Sequence, residues 1–137
     1  MPSAAERKEY DNLLDAARKA VKQGDIVYIM PNPKGIRSMD FIFERDGLIK
    51  DYELKTLVGT GSAESKLDKA ATQCHRVLIN VKSNYNARTL AGEIKTFMQD
   101  SDTIEVLVYR GNKSIAINRK LVKKKSFIAD FTKEWKT

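Results

Sequence analysis

Asp46-Gly47, set between two runs of strand-forming residues, constrains this 137-residue chain more than any other feature. A type I′ turn needs φ > 0 at both central residues, and Asp-Gly meets that demand with little strain. Phe41, Ile42 and Phe43 precede the pair, and Leu48, Ile49, Tyr52 and Leu54 follow it. All of them favour extended backbone. If Asp46 and Gly47 are the whole loop, Arg45 faces Leu48. Counting outward then sets Asp40 opposite Glu53 and Ser38 opposite Lys55. Side chains alternate along a strand, so these four share one face.

Directly opposed residues have Cβ atoms roughly 5 Å apart, and like charges at that spacing repel. A hard divalent cation between the two carboxylates removes the repulsion, and Mg²⁺ or Mn²⁺ takes oxygen ligands of this kind. An adjacent lysine supplies a point charge that can steady a developing anion or orient a water. Read this way, the hairpin is a metal-dependent hydrolytic site for a phosphate ester. Asp40 and Glu53 hold the ion, Lys55 is catalytic, and Ser38 sits beside the ligands. A solvated, charged hairpin face accounts for the same residues equally well on geometry alone.

The rest of the chain supplies context. Its length suits one domain with a real core, expected over residues 3–118, with a basic C-terminal tail over 119–137. The formal charge of +7 favours a polyanionic partner, nucleic acid first, although simple solubility would also explain it. With one cysteine, Cys74, no internal disulfide can form, so nothing requires an oxidising compartment. No apolar run is long enough for a membrane span, and the first residues lack a signal-peptide core.

A helix is expected from Ser3 to Gln23. Ser3 caps it, Glu6 closes a capping box, and Tyr10, Leu14, Ala17 and Val21 form the core stripe. Glu6 and Glu9 lie beside that stripe, and Asp15 points away from it. Ile26–Met30 reads as a strand, followed by a loop containing Lys34 and Arg37, which can meet phosphate or remain plain surface charges. A second helix, about 63–75, carries Leu67, Ala70, Ala71 and Cys74 on one side. Ser62, Lys66, Lys69 and Gln73 form a polar stripe on the other, suited to substrate phosphate or to solvent. The lone His75, at the helix end, reads as a surface residue.

Val77–Val81 is a buried strand, expected to run parallel to the hairpin's second strand through a right-handed crossover. A helix over 87–99 and a strand over 103–110 with Ile104, Val106 and Val108 inward come next. A turn at Gly111-Asn112 and a returning strand follow. Phe127, Ile128, Phe131 and Trp135 recur at helical spacing, as a docking helix or a solvated tail; the lysines at 123–125 suit an RNA backbone.

Asp40 followed by Glu53-Leu54-Lys55 resembles the D…ExK core of the PD-(D/E)XK nuclease superfamily, and the resemblance extends from about Gly24 to Val81. More narrowly, Ser62 to Val81 is similar to the tRNA-cleaving C-terminal toxin domain of contact-dependent growth inhibition proteins. Where such families often have proline before the aspartate, this chain has Ser38-Met39. The resemblance implies an α/β fold, a small PD-(D/E)XK nuclease-like mixed sheet flanked by helices. It implies Mg²⁺ or Mn²⁺ at Asp40 and Glu53, a completing glutamate at Glu9 ahead of Glu6, and a site-facing Gln73. It also implies tRNA as substrate, a cognate immunity protein, and action in a bacterial cytoplasm after delivery within a larger secreted protein. A DNA endonuclease of the same superfamily and a non-catalytic nucleic-acid-binding module are the competing readings.

Overall fold

The computed structural model describes residues 3–30, 39–59 and 75–137. Within them a six-stranded mixed sheet runs in chain order. Its strands are β1 (Ile26–Ile29), β2 (Phe41–Arg45), β3 (Leu48–Leu57), β4 (Arg76–Val81), β5 (Glu105–Arg110) and β6 (Lys113–Asn118). β3, β4 and β5 are parallel neighbours, and the flanking pairs are antiparallel. The expected parallel step after the hairpin is therefore present. Helix α1 (Ala4–Lys22) covers one face; α2 (Ala87–Gln99), α3 (Arg119–Val122) and α4 (Phe127–Lys136) belong to the other side.

The hairpin forms as its turn chemistry dictates. Asp46 sits at φ 50° and Gly47 at φ 81°, both in the left-handed region that a type I′ turn needs. Arg45 pairs with Leu48, and the ladder runs outward to Phe41 opposite Tyr52. It ends there, one residue short of the expected Asp40–Glu53 pair. The Asp40 amide donates to the Tyr52 carbonyl instead, at 3.0 Å.

Two apolar layers sandwich the sheet. Leu57, Val77, Ile79, Val106, Val108 and Ile117 pack under α2 and α4. Phe41, Phe43, Tyr52, Leu78, Leu107 and Tyr109 pack on the α1 side. β5 is thus buried on both faces rather than half-buried, and Ile104, expected inward, lies outside the strand and is exposed. α2 matches its expected span, with Asn86 capping Thr89 and Leu90, Ile94, Phe97 and Met98 buried. The segment after residue 118 takes the docking alternative. Phe127, Phe131 and Trp135 are buried in the α2 layer, and the Arg110 guanidinium lies 4.6 Å from the Trp135 ring centre.

α1 begins as expected, with Ser3 Oγ accepting from the Glu6 amide at 3.1 Å. Its buried face differs. Ala16, Ala17 and Ala20 meet the sheet with Leu13 beside them, while Tyr10 and Val21 are exposed. Small side chains let the helix approach closely, and the ring and branched chain at the stripe's ends fall off the contact. This rotation also brings Asp15 toward the sheet, against expectation. Asn80, fully buried on β4, donates to Asp15 Oδ2 at 2.8 Å and accepts from Lys19 Nζ at 2.6 Å.

Candidate active site

Three of the expected residues come from the hairpin and act on one another. Glu53 and Lys55 alternate on β3 with Tyr52 and Leu54, so they face away from α1, toward the layer of their register partners Val77 and Ile79. Glu53 is 4% exposed. Burial of a carboxylate is costly unless it is paired, and Lys55 Nζ lies 3.1 Å from Glu53 Oε1. Asp40, just before β2, accepts from the Leu54 amide through Oδ2 at 2.7 Å. That bond crosses the middle of the Glu53-Leu54-Lys55 triplet and ties the aspartate to it.

The electrostatics link a fourth residue. Burial pushes the Asp40 carboxyl above its ordinary value; the Leu54 amide and the Lys55 charge oppose the shift, and the negative charge of Glu9 adds to it. Glu9 is thus close enough to Asp40 to be felt, although it sits on α1 and is exposed. Glu6 shows only its helix-start role. Ser38, Lys34, Arg37, Lys66, Lys69, Gln73 and Cys74 lie outside the described residues. His75 is exposed, as expected for a surface residue, and its carbonyl accepts from the Ile104 amide.

The donor set suits a hard cation. Mg²⁺ is commonly held by one or two carboxylates, the remaining positions going to water and to substrate phosphate. Asp40 and Glu53 supply two carboxylates beside Lys55, oxygen ligands of the kind a divalent ion takes. Among the described residues no group of three or more His, Cys, Asp and Glu side chains converges to hold an ion. A protein-only cage of the zinc type is absent from that part of the chain.

Sequence reasoning missed the Asp15–Asn80–Lys19 cluster. The signal was present: Asn80 interrupts an otherwise aliphatic run, Val77-Leu78-Ile79-Asn80-Val81. A buried asparagine must find partners, so a polar side chain on the covering helix could have been sought.

The sequence matches no known family and no curated relative. By backbone shape it is similar to a chain of the CdiA-CT/CdiI toxin and immunity complex from Burkholderia pseudomallei, with a TM-score of 0.65 at 13% identity. The match spans 86% of this chain and 90% of that one. At that identity the likeness is one of fold alone.

Proposed function

We propose that this protein is a metal-dependent ribonuclease, with tRNA as the favoured substrate, and that it is the toxin member of a toxin–immunity pair. The observation that carries the reading is the mutual engagement of Asp40, Glu53 and Lys55, with the charge of Glu9 reaching Asp40. The toxin role draws support from the structural neighbour, which is a chain of a toxin and immunity complex.

Asp40 and Glu53 would hold Mg²⁺ or Mn²⁺, with the Leu54 carbonyl as a further oxygen. The bound ion would lower the pKa of a water and polarise the scissile phosphate. Lys55, restrained by Glu53, would direct its ammonium to the attacking water or to the charge that gathers on phosphorus oxygens. Glu9 would add negative charge on the α1 side. Ser38, Lys34, Lys66, Lys69 and Gln73 are proposed from the sequence pattern alone as contacts to substrate. The excess of basic residues would draw the polyanion in and would fit an acidic immunity protein. The setting is a bacterial cytoplasm reached by delivery within a larger protein; among the described residues no helix is long and apolar enough to cross a membrane.

Total RNA and plasmid DNA, each with Mg²⁺ or EDTA, test the reading with wild type beside Glu53→Ala. Discrete tRNA fragments that vanish with EDTA and with the variant are expected. Degraded plasmid with intact RNA would move the assignment to a DNA endonuclease. Binding without cleavage of either would leave a non-catalytic nucleic-acid-binding module.

A further inference from the structure

The α1 side of the sheet is only partly covered. Beyond the end of α1, Phe43 and Arg45 of β2, Lys50 and Tyr52 of β3, Glu105 and Tyr109 of β5 and Ser114 of β6 line a cavity of about 220 Å³, with Asp25 beside them. These residues alternate with Glu53 and Lys55, so the cavity opens on the opposite face from the hairpin carboxylates.

Its chemistry is lopsided toward acceptors. The Tyr109 side chain is 1% exposed, yet among the described residues its hydroxyl has no hydrogen-bond partner. A buried, unanswered hydroxyl is costly, so one in a native fold calls for an explanation. Burial, and then the charge of Asp25, push the Tyr109 phenol well above its ordinary value; Arg45 opposes and Glu105 adds. The phenol therefore stays neutral, with an O–H to donate and lone pairs to accept.

Arg45 and the Tyr52 hydroxyl are engaged with the acids beside them. Arg45 Nε and Nη2 both go to Asp25, at 3.0 and 2.9 Å, and the Tyr52 hydroxyl goes to Glu105 Oε1 at 2.5 Å. Arg76 Nε lies 3.5 Å from that same oxygen, while Lys50 Nζ is 3.8 Å from Oε2, beyond a hydrogen bond. A carboxylate has about four acceptor sites, so Asp25 and Glu105 keep capacity to spare.

Three carboxylates in the lining, Asp25, Asp46 and Glu105, face Arg45 and Lys50, and Arg76 reaches Glu105 from outside the lining. A phosphate would meet the charge of three carboxylates. A single positive charge bearing N–H groups would meet acceptors, and the Phe43 and Tyr52 rings, with centroids 4.9 Å apart, offer π faces. The volume exceeds what one bridging water needs and is below that of a drug-sized pocket.

We propose that this cavity is a second binding site, distinct from the hairpin carboxylates, for a monovalent organic cation ending in guanidinium or ammonium, free or carried on a partner protein's side chain. It does not depend on the nuclease reading. Titration of the full chain, followed by amide and tyrosine NMR shifts, tests it with methylguanidinium, butylammonium and N-acetyl-arginine amide, and with inorganic phosphate as the opposite charge. The organic cations should move Tyr52, Tyr109 and Ser114 together, and phosphate should not. Tyr109→Phe should weaken binding about tenfold, as for one hydrogen bond to a charged group, while its stability stays equal or rises because the orphan hydroxyl is gone. Asp25→Asn should weaken binding as well, and Glu53→Ala should bind as wild type does. Tighter binding of N-acetyl-arginine amide than of methylguanidinium would assign the cation to a partner's side chain; equal binding would assign it to a free ligand. Absence of shifts at these residues, undiminished binding in both pocket variants, or phosphate shifting the same residues would overturn the proposal.

Discussion

Two clusters in this protein are built from the same materials and differ in how they close. At one, Asp15 and Lys19 of α1 meet the buried Asn80 of β4: Asn80 donates to Asp15, Lys19 donates to Asn80, and Lys19 lies 3.4 Å from Asp15. The cycle is complete, one acid against one base with an amide between. At the other, among the described residues, two hairpin carboxylates share one lysine, and the charge of a third carboxylate on α1 reaches Asp40. Burial is the largest influence on both aspartates and acts upward on each. For Asp15 the Asn80 bond, Lys19 and Lys82 overcome it, and the carboxyl ends below its ordinary value. For Asp40 the Leu54 amide and Lys55 do not, and the carboxyl ends above. A closed polar network is a structural joint; the hairpin cluster, whose acids outnumber its bases among the described residues, is where we propose that a cation binds.

The largest test of that contrast is catalytic. Asp40→Asn and Glu53→Gln should each lower RNA cleavage by roughly a thousandfold, since a lost metal ligand forfeits several kcal/mol of transition-state stabilisation. Asn80→Leu should keep the activity of whatever fraction stays folded. Equal losses at both clusters, measured as cleavage rate per folded molecule, would erase the distinction. Next comes metal linkage. At a hundred times its dissociation constant, Mg²⁺ or Mn²⁺ should stabilise the wild type by about 2.7 kcal/mol in urea titration and Asp40→Asn by much less. A gain that survives Asp40→Asn would move the metal elsewhere.

Smaller still is the structural cost of opening the closed cluster. Asn80→Leu leaves Lys19 and Asp15 each short of a hydrogen bond against the sheet, and about 1–3 kcal/mol of stability should go. Glu53→Gln is the counterpart: it keeps the shape of a buried side chain while removing its charge, so metal-free stability should fall by less. Urea midpoints of the two variants side by side make the comparison.

How much of this could be read from residues alone follows from which signals are local. The hairpin was legible because Asp46-Gly47 fixes its own turn and the register then counts itself, as far as Phe41. What stopped the ladder one residue short was the Asp40 amide's bond to Tyr52, which no propensity encodes. The α1 face was misread at its ends because periodicity weights large apolar residues: Tyr10 and Val21 look like core, yet the contact is made by Ala17, which the stripe included, with Ala16 and Ala20. Turning the helix by that amount also turned Asp15 inward. Of the candidate site, the closeness of Asp40, Glu53 and Lys55 was legible from the hairpin count. That the charge of Glu9 reaches Asp40 depends on how α1 lies against the sheet, and the cavity around Tyr109 depends on where α1 stops covering it.

The two aspartates also predict opposite pH limbs, the smallest effect and the most direct check on the comparison. Asp15 is held below its ordinary value of 3.8. Its contribution is present above 3.8 and fades as pH falls through its lowered folded value. Asp40 is held above that same value. Its contribution to the metal-free protein is complete below 3.8 and is lost as pH rises through its raised folded value. Acidification from neutrality should therefore first bring a gain, as Asp40 takes up its proton, and then a loss, as Asp15 does. Asp40→Asn should remove the gain and keep the loss; Asp15→Asn should do the reverse. A saturating divalent ion should erase the Asp40 limb in the wild type, because the bound cation keeps that carboxylate ionised, and should leave the Asp15 limb in place. If both substitutions flatten the same limb, the two clusters share one titration and the division into a joint and a site fails.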